Sequence, residues 1–422
     1  MRSIVPDYLA ELMQECSDVT GGAPADYIPE LARVDRALFG IALTTADGRT
    51  YTSGDADTLF TIQSISKAFV YAMAIRDRGL PEVLERIDVE PSGEAFNELS
   101  LERNSKRPLN PMINAGALTA HSLVGAPNDP PERWVELILE GLSEFAGREL
   151  DVDQRVFASE MQHAHRNLAI AHMLRSYDML TADPEAVVGG YTRQCAVRVT
   201  TRDLSVMAAT LANGGTNPIT GRQVVTPEVV QQTLSVMLTC GMYDSAGDWI
   251  TTVGIPAKSG VGGGILGALP GQFGVATFSP PLDEHGNSVR GVAAFERLSH
   301  EMGMHLMTVP PLTRSVIRRH RRIALRSGTP AYLYELQGPL RFSSVEQAIR
   351  LVEESPPQEH TVVVDLQNMT SIDATARRML LELLRRIGLD GHEVWLIDGE
   401  TVVAGAAPSG VRLADDVMQV AG

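Results

Sequence analysis

The pattern of this chain changes character once. Before about residue 310, strand-like runs stand at both ends of a long helical middle; from residue 329 onward, strands and helices alternate one for one. Between the two patterns lies the most basic stretch of the chain, TRSVIRRHRRIALRSG at 313–328. A switch of that kind calls for two separate cores, and 422 residues suffice to bury both. The expected division is residues 1–310 for the first domain, 311–327 for a basic linker read as a solvated helix, and 328–422 for the second domain.

Within the first region, LFGIALTTADGRTYT at 38–52 reads as a hairpin turning at Asp47 and Gly48. A helix follows from Ser64 to Gly79, with Pro81 just beyond. Residues 110–250 are mostly helical in pattern, and Ser159 with Gln162 makes a capping box that opens a helix through MLRSYDML. Residues 254–280 return to short β runs broken by glycine, with a turn at Pro270 and Gly271. The expectation is one α+β domain whose sheet is closed by the returning chain. In the second region, AYLYELQGPLRF reads as a strand pair, SSVEQAIRLVEES as a helix, HTVVVDLQNM as a buried strand, DATARRMLLELLRRIGLDG as a helix and HEVWLID as a strand, which makes a small α/β domain.

Charge and composition narrow the class. A formal net charge of -16 disfavours nucleic acid and anionic membrane as partners, because both demand a basic surface. No apolar run approaches the ~18 residues of a membrane span, and the N-terminus lacks a basic start followed by an apolar core, so a cytoplasmic address is expected. Cys16, Cys195 and Cys240 are too few and too widely spaced for a disulfide framework or a zinc site.

The 36 basic residues include only three lysines, Lys67, Lys106 and Lys258. Arginine cannot give up its proton in a protein, whereas a desolvated lysine can, so chemistry that needs a neutral amine keeps its lysine. Ser64 and Lys67 stand one helical turn apart, where the amine can reach the hydroxyl and act as base to a serine nucleophile. Lys258 opens a KSG stretch at 258–260, and serine hydrolases of the penicillin-recognising type pair these two motifs across one cleft. Gly262, Gly264 and Gly267 satisfy the spacing of a dinucleotide loop, but Pro270 and Gly271 follow where a helix must open, so these glycines are read as admitting a substrate close to the backbone. His163, His165 and His172 point to different helix faces and are read as solvated or capping residues; Glu160 and Asn167, two turns apart, share one face.

Taken together, GGAPADYIPELARVD (21–35), FTIQSISKAF (60–69), NPMINAGAL (110–118), SEMQHAHRNLA (159–169), CGMYDSAG (240–247) and PAKSGVGGGI (256–265) resemble the serine-dependent glutaminases of β-lactamase-like fold. The resemblance implies Ser64 as nucleophile, Lys67 as its base, Tyr243 as proton shuttle, and the amides of Ser64 and Val261 as the oxyanion hole. It further implies a glutamine pocket of Tyr27, Gln63, Asn114, Glu160, Asn167 and Tyr191, with Glu160 at the α-ammonium and the asparagines and Tyr191 at the α-carboxylate. No metal and no organic cofactor is expected, and homodimers or homotetramers are. TVVVDLQNMTSIDATARRMLLELL at 361–384 is similar to STAS domains, which implies a docking or dimerising module for a protein partner. In antagonist members the residue at Thr375 is phosphorylated, but Ala374 and Ala376 depart from that pattern. Two other readings stay open at this point: a β-lactam or cell-wall peptide hydrolase sharing the serine-lysine and lysine-serine-glycine motifs, and a non-catalytic scaffold driven by the STAS unit.

Overall fold

The computed structural model of the chain describes residues 4–93, 98–308, 316–398, 403, 405 and 407–420. The chain divides into two compact units, Met1–Thr308 and Val309–Gly422. No helix among the described residues is long and apolar enough to cross a membrane.

The strands of the first unit are β1 Gly40–Thr45, β2 Thr50–Gly54, β3 Phe60–Thr61, β4 Asp151–Val152, β5 Val197–Val199, β6 Ala257–Gly260, β7 Gly264–Leu269 and β8 Phe273–Phe278. Five of them form one sheet in the order β2-β1-β8-β7-β6, so the hairpin at the start of the chain is closed by strands that return two hundred residues later. Both faces of this sheet are covered. Ile41, Leu43, Ile265 and Val275 point to one side, where Leu9, Leu12, Phe295 and Leu298 of the helices Val5–Ser17 and Val289–Met302 meet them. Leu266, Ala268 and Ala276, offset by one residue, point to the other side and pack on Leu204, Met207, Ala208 and Leu211.

That second side is lined by small residues for a reason. A side chain at Gly274 would stand 2.1 Å from the backbone nitrogen of Ala209, so the helix Thr201–Ala212 rests almost directly on the sheet backbone. Buried Thr44 and Ser205 hydroxyls share a hydrogen bond of 2.7 Å across the same contact. The helix Ser66–Arg78 is buried on every face from Ser66 to Ile75, as its run AFVYAMAI dictates. It stops at Gly79, which takes φ +80°. The short sheet β3-β5-β4 leads into it.

Three details depart from the sequence reading. Ser159 and Gln162 do not open a helix: the helix Gln154–Gln162 starts earlier, where the Asp153 carboxylate accepts from the amides of Arg155 and Val156, and a new helix, His165–Ser176, begins after a break. An aspartate with two free amides in reach outcompetes the serine six residues on. The basic stretch is not a linker helix. Its described part forms strand β9, Ile317–Ala324, antiparallel to β10, Pro330–Leu340. β9 lies at the sheet edge with Arg318, Arg319, Arg321 and Arg322 exposed, a placement that keeps the open edge soluble, and Arg322 pairs with buried Glu359. AYLYELQGPLRF is one strand, not two, because Gly338 at φ +73° is absorbed as an irregularity in register and not as a turn.

In the second unit, β10, β11 (Thr361–Ile372), β12 (Glu393–Ile397) and β13 (Val411–Ala414) are parallel neighbours, giving the order β13-β12-β11-β10-β9. Helices Phe342–Glu354 and Ala374–Leu389 cover one face through Val345, Ala348, Leu380, Leu384 and Ile387.

Candidate active site

The backbone sets up the site before any side chain does. Ile62 donates its amide to Val197 O at 2.8 Å, and the next residue, Gln63, turns to φ +49°. A 3-10 turn, Gln63–Ile65, follows, and the α-helix starts only at Ser66. Ser64 therefore stands in a tight turn at the head of the buried helix and Lys67 in the helix's first turn. A non-glycine residue at positive φ is held there at a cost, and such residues concentrate where a geometry is needed for chemistry. Tyr243 is a second one, at φ +55° in the turn Tyr243–Ser245.

Glycines make a close approach of two segments possible here. A side chain at Gly262 would come within 2.9 Å of Thr61 O, and one at Gly260 within 3.1 Å of Ile62 O. At these two positions the segment leading to Ser64 comes close to the glycine backbone. The turn between β6 and β7 thus lies against the Ser64 turn, and it carries Val261.

Ser64 is 6% exposed and Lys67 is 1% exposed. The Lys67 ammonium or amine donates to Met112 O at 3.1 Å and to Asn114 Oδ1 at 2.7 Å. Burial without a carboxylate beside it pulls its pKa down from 10.5 to about 8. The Tyr243 hydroxyl is hydrogen bonded to Ser64 and donates to Ser259 O at 3.2 Å. Burial raises the Tyr243 pKa, and the Ser64 contact opposes that rise. Lys258, fully buried, donates to the same Ser259 carbonyl at 2.7 Å with its nitrogen 4.4 Å from the Tyr243 ring centre. Burial first, and the nearby Lys67 second, push Lys258 well below the ordinary lysine range. Two of the three lysines thus meet under one serine, while Lys106 lies 5.9 Å from the Tyr177 ring centre.

In front of Ser64 opens a cavity of about 310 Å³. Its wall includes eight of the ten residues expected from the sequence, namely Tyr27, Gln63, Ser64, Asn114, Glu160, Asn167, Tyr191 and Val261. The other two, Lys67 and Tyr243, are not part of that wall. Glu160 and Asn167 do meet here, but from two helices joined by a break and not from one shared face. Glu160 Oε1 accepts from Tyr27 Oη at 2.9 Å and Gln63 Nε2 at 3.2 Å. Burial raises the Glu160 pKa, and these two donors work against the rise. Asn114 Nδ2 donates to Asn167 Oδ1 at 2.9 Å, and the Tyr191 hydroxyl stands 3.5 Å from Asn114 Oδ1.

His163, Ala164, Arg166, Thr192 and Cys195 also line the cavity and were not among the site residues expected from the sequence. Nothing in their local pattern marks them: His163 caps the end of one helix, and Thr192 and Cys195 share a helix with Tyr191, one and four positions on. The helical spacing of Cys195 from Tyr191 is the one signal that was available. Three cysteines, all free and buried, agree with the sequence reading. A cavity of this size sits at the small end for ligand pockets, suited to a metabolite and not to a polymer. Chemically it offers a carboxylate to a cation, amide and hydroxyl groups to an anion, and a buried serine backed by a low-pKa amine.

The family profile described as Glutaminase matches residues 22–307, and that described as STAS domain matches residues 322–405. A glutaminase of Corynebacterium glutamicum is 47% identical over 94% of this chain and 95% of its own length. A glutaminase of Trichormus variabilis is 50% identical over 70% of this chain and 88% of its own length. Among solved structures, one titled as a crystal structure analysis of Mglu matches with a TM-score of 0.85 at 47% identity, covering 95% of this chain and 100% of that one.

Proposed function

This chain belongs to the glutaminase family, with a STAS domain following the glutaminase domain, and it hydrolyses the side-chain amide of L-glutamine to L-glutamate and ammonia; we propose that it does so through a glutamyl ester on Ser64. The observation that carries this reading is the environment of Lys67. As a neutral amine, Lys67 has two N–H groups and one lone pair. It donates to Met112 O and Asn114 Oδ1, and burial, which lowers its pKa to about 8, favours the neutral amine that a base to Ser64 must be.

Ser64 Oγ attacks the side-chain amide carbon as Lys67 takes its proton. The tetrahedral oxyanion is met by the backbone amides of Ser64 and Val261, each such donor being worth roughly 3 kcal/mol in comparable sites. Tyr243, hydrogen bonded to Ser64, passes a proton to the departing nitrogen, the C–N bond breaks, and ammonia leaves. Water then attacks the ester with Lys67 and Tyr243 as base, and glutamate is released. Glu160 receives the α-ammonium, with Tyr27 and Gln63 holding its carboxylate in place. Asn114, Asn167 and Tyr191 hold the α-carboxylate.

The reading also includes a cytoplasmic address, a homodimer or homotetramer, and a docking or dimerising role for the STAS unit. Thr375 lies exposed in the first turn of the helix Ala374–Leu389, two residues after the Asp373 cap. The deciding experiment is ammonia release by purified enzyme from glutamine and from asparagine, repeated on Ser64→Ala. Glutamine turnover that vanishes in a folded Ser64→Ala protein is the expected result; full turnover in that variant removes Ser64 from the reaction.

A further inference from the structure

Behind the Ser64 turn lies a file of buried polar groups that the reaction above leaves unused. Ser66 Oγ donates to the Gln63 carbonyl at 2.7 Å. Gln194 Nε2 donates to Ser66 Oγ at 3.0 Å, and Gln194 Oε1 lies 2.9 Å from His121 Nδ1. Ser66, Gln194 and His121 are at most 2% exposed.

The file has one direction. The amide nitrogen of Gln194 only donates, so Ser66 accepts from it and spends its own proton on Gln63 O. The amide oxygen only accepts, so His121 must donate through Nδ1, which leaves Nε2 as a bare lone pair. Nε2 has no hydrogen-bond partner among the described residues, and a side chain at Gly190 would stand 2.3 Å from it. Burial lowers the His121 pKa to about 4, so the ring stays neutral over the working range. A buried imidazole with one nitrogen left unpaired needs a reason to be there.

The far end of the file supplies it. The Gln63 carbonyl and the Ser64 N–H belong to one peptide unit, and no described peptide bond is cis. In a planar trans peptide the N–H points opposite to the C=O, so whatever fixes the oxygen aims the hydrogen. This peptide needs fixing, because Gln63 holds φ +49°. We infer that Ser66, Gln194 and His121 are positioning residues that hold the Gln63–Ser64 peptide so that the Ser64 N–H points into the oxyanion hole. The inference rests on the reading of the Ser64 amide as an oxyanion donor. None of the three touches the substrate cavity's reacting atoms; they act through one carbonyl.

A misaimed oxyanion donor weakens the transition state more than the bound amide, so the effect belongs in kcat. The test is steady-state kinetics of the full chain carrying Ser66→Ala, His121→Leu or His121→Asn, with Ser64→Ala alongside. Ser66→Ala and His121→Leu are expected to lower kcat about tenfold with KM for glutamine little changed, the size expected for one lost buried hydrogen bond. His121→Asn, whose side-chain nitrogen can stand where Nδ1 does, is expected to recover most of that loss. Unchanged kcat in either folded Ser66→Ala or folded His121→Leu overturns the inference, as does His121→Asn behaving like His121→Leu. If Ser66→Ala does not fold, the two His121 variants decide. A dead Ser64→Ala beside normal Ser66→Ala and His121→Leu removes only the positioning file, whereas an active Ser64→Ala removes the Ser64 reading itself.

Discussion

Lys67 shows how much burial alone can do to one residue. No carboxylate neighbour is among the causes of its shift; desolvation is the first of them, and it brings the amine to about 8. In the proposed mechanism the neutral form is the base, so activity would be lost as protons are added. The log of kcat/KM should therefore rise with pH to a plateau near 8, falling about tenfold per unit below it, and a stopped ammonia assay from pH 6 to 9 measures this. An acidic limb centred near 6 would instead assign the base to another group. The proposed role of Glu160 belongs to the ground state: losing a charged partner for the α-ammonium costs about 1.5–3 kcal/mol, so Glu160→Gln should raise KM for glutamine about ten- to a hundredfold. Lysine scarcity made Lys67 and Lys258 legible from the sequence. Glu160 and Asn167 were picked out too, but for a shared helix face that does not exist, since a break after Gln162 separates their helices.

Among the elements, the helix Thr201–Ala212 and the five-stranded sheet make the tightest demand. Gly274 is where the helix backbone approaches the strand, with Ala209 N, Ala208 C and Ser205 O all within 2.5 Å of a hypothetical side-chain carbon. Gly274→Ala places that carbon against backbone that has no rotamer to change, so a destabilisation of about 1–3 kcal/mol or more is expected, read as a fall in the denaturant midpoint. An unchanged midpoint would mean that helix and sheet can separate without penalty. The element types were readable from apolar runs and their punctuation: short runs in β1 and β8 bounded by turn residues, and a longer apolar run after Ser64 that stops at Gly79. The basic strand β9 was not, because an edge strand spends its residues on solvent and so imitates a polar helix.

For the whole molecule, the informative fact is that each unit has cores of its own. The apolar clusters around Phe69, Phe295 and Trp134 draw only on residues of the first unit, and those around Val364 and Trp395 only on the second. A chain ending at Thr308 is therefore expected to fold and to keep measurable glutamine turnover. Loss of all turnover in a soluble, folded truncation would mean that the STAS unit contributes to the working enzyme.

The sequence by itself determined the residue chemistry and most of the element types. A serine, a desolvatable lysine and the KSG strand are chemical identities, and hydrophobic period is a local property, so neither needs a fold to be read. Three things only the tertiary structure decided. One is the left-handed turn at Gln63, which a glutamine does not advertise. Another is the meeting of Glu160 with Tyr27 and Gln63, from parts of the chain 133 and 97 residues away. The third is the buried file from His121 to the Gln63 carbonyl, whose members look like ordinary core polar residues until their donors are followed. Hydrogen-bond direction and burial depend on which distant segments pack together, and a sequence states only which residues are available to do so.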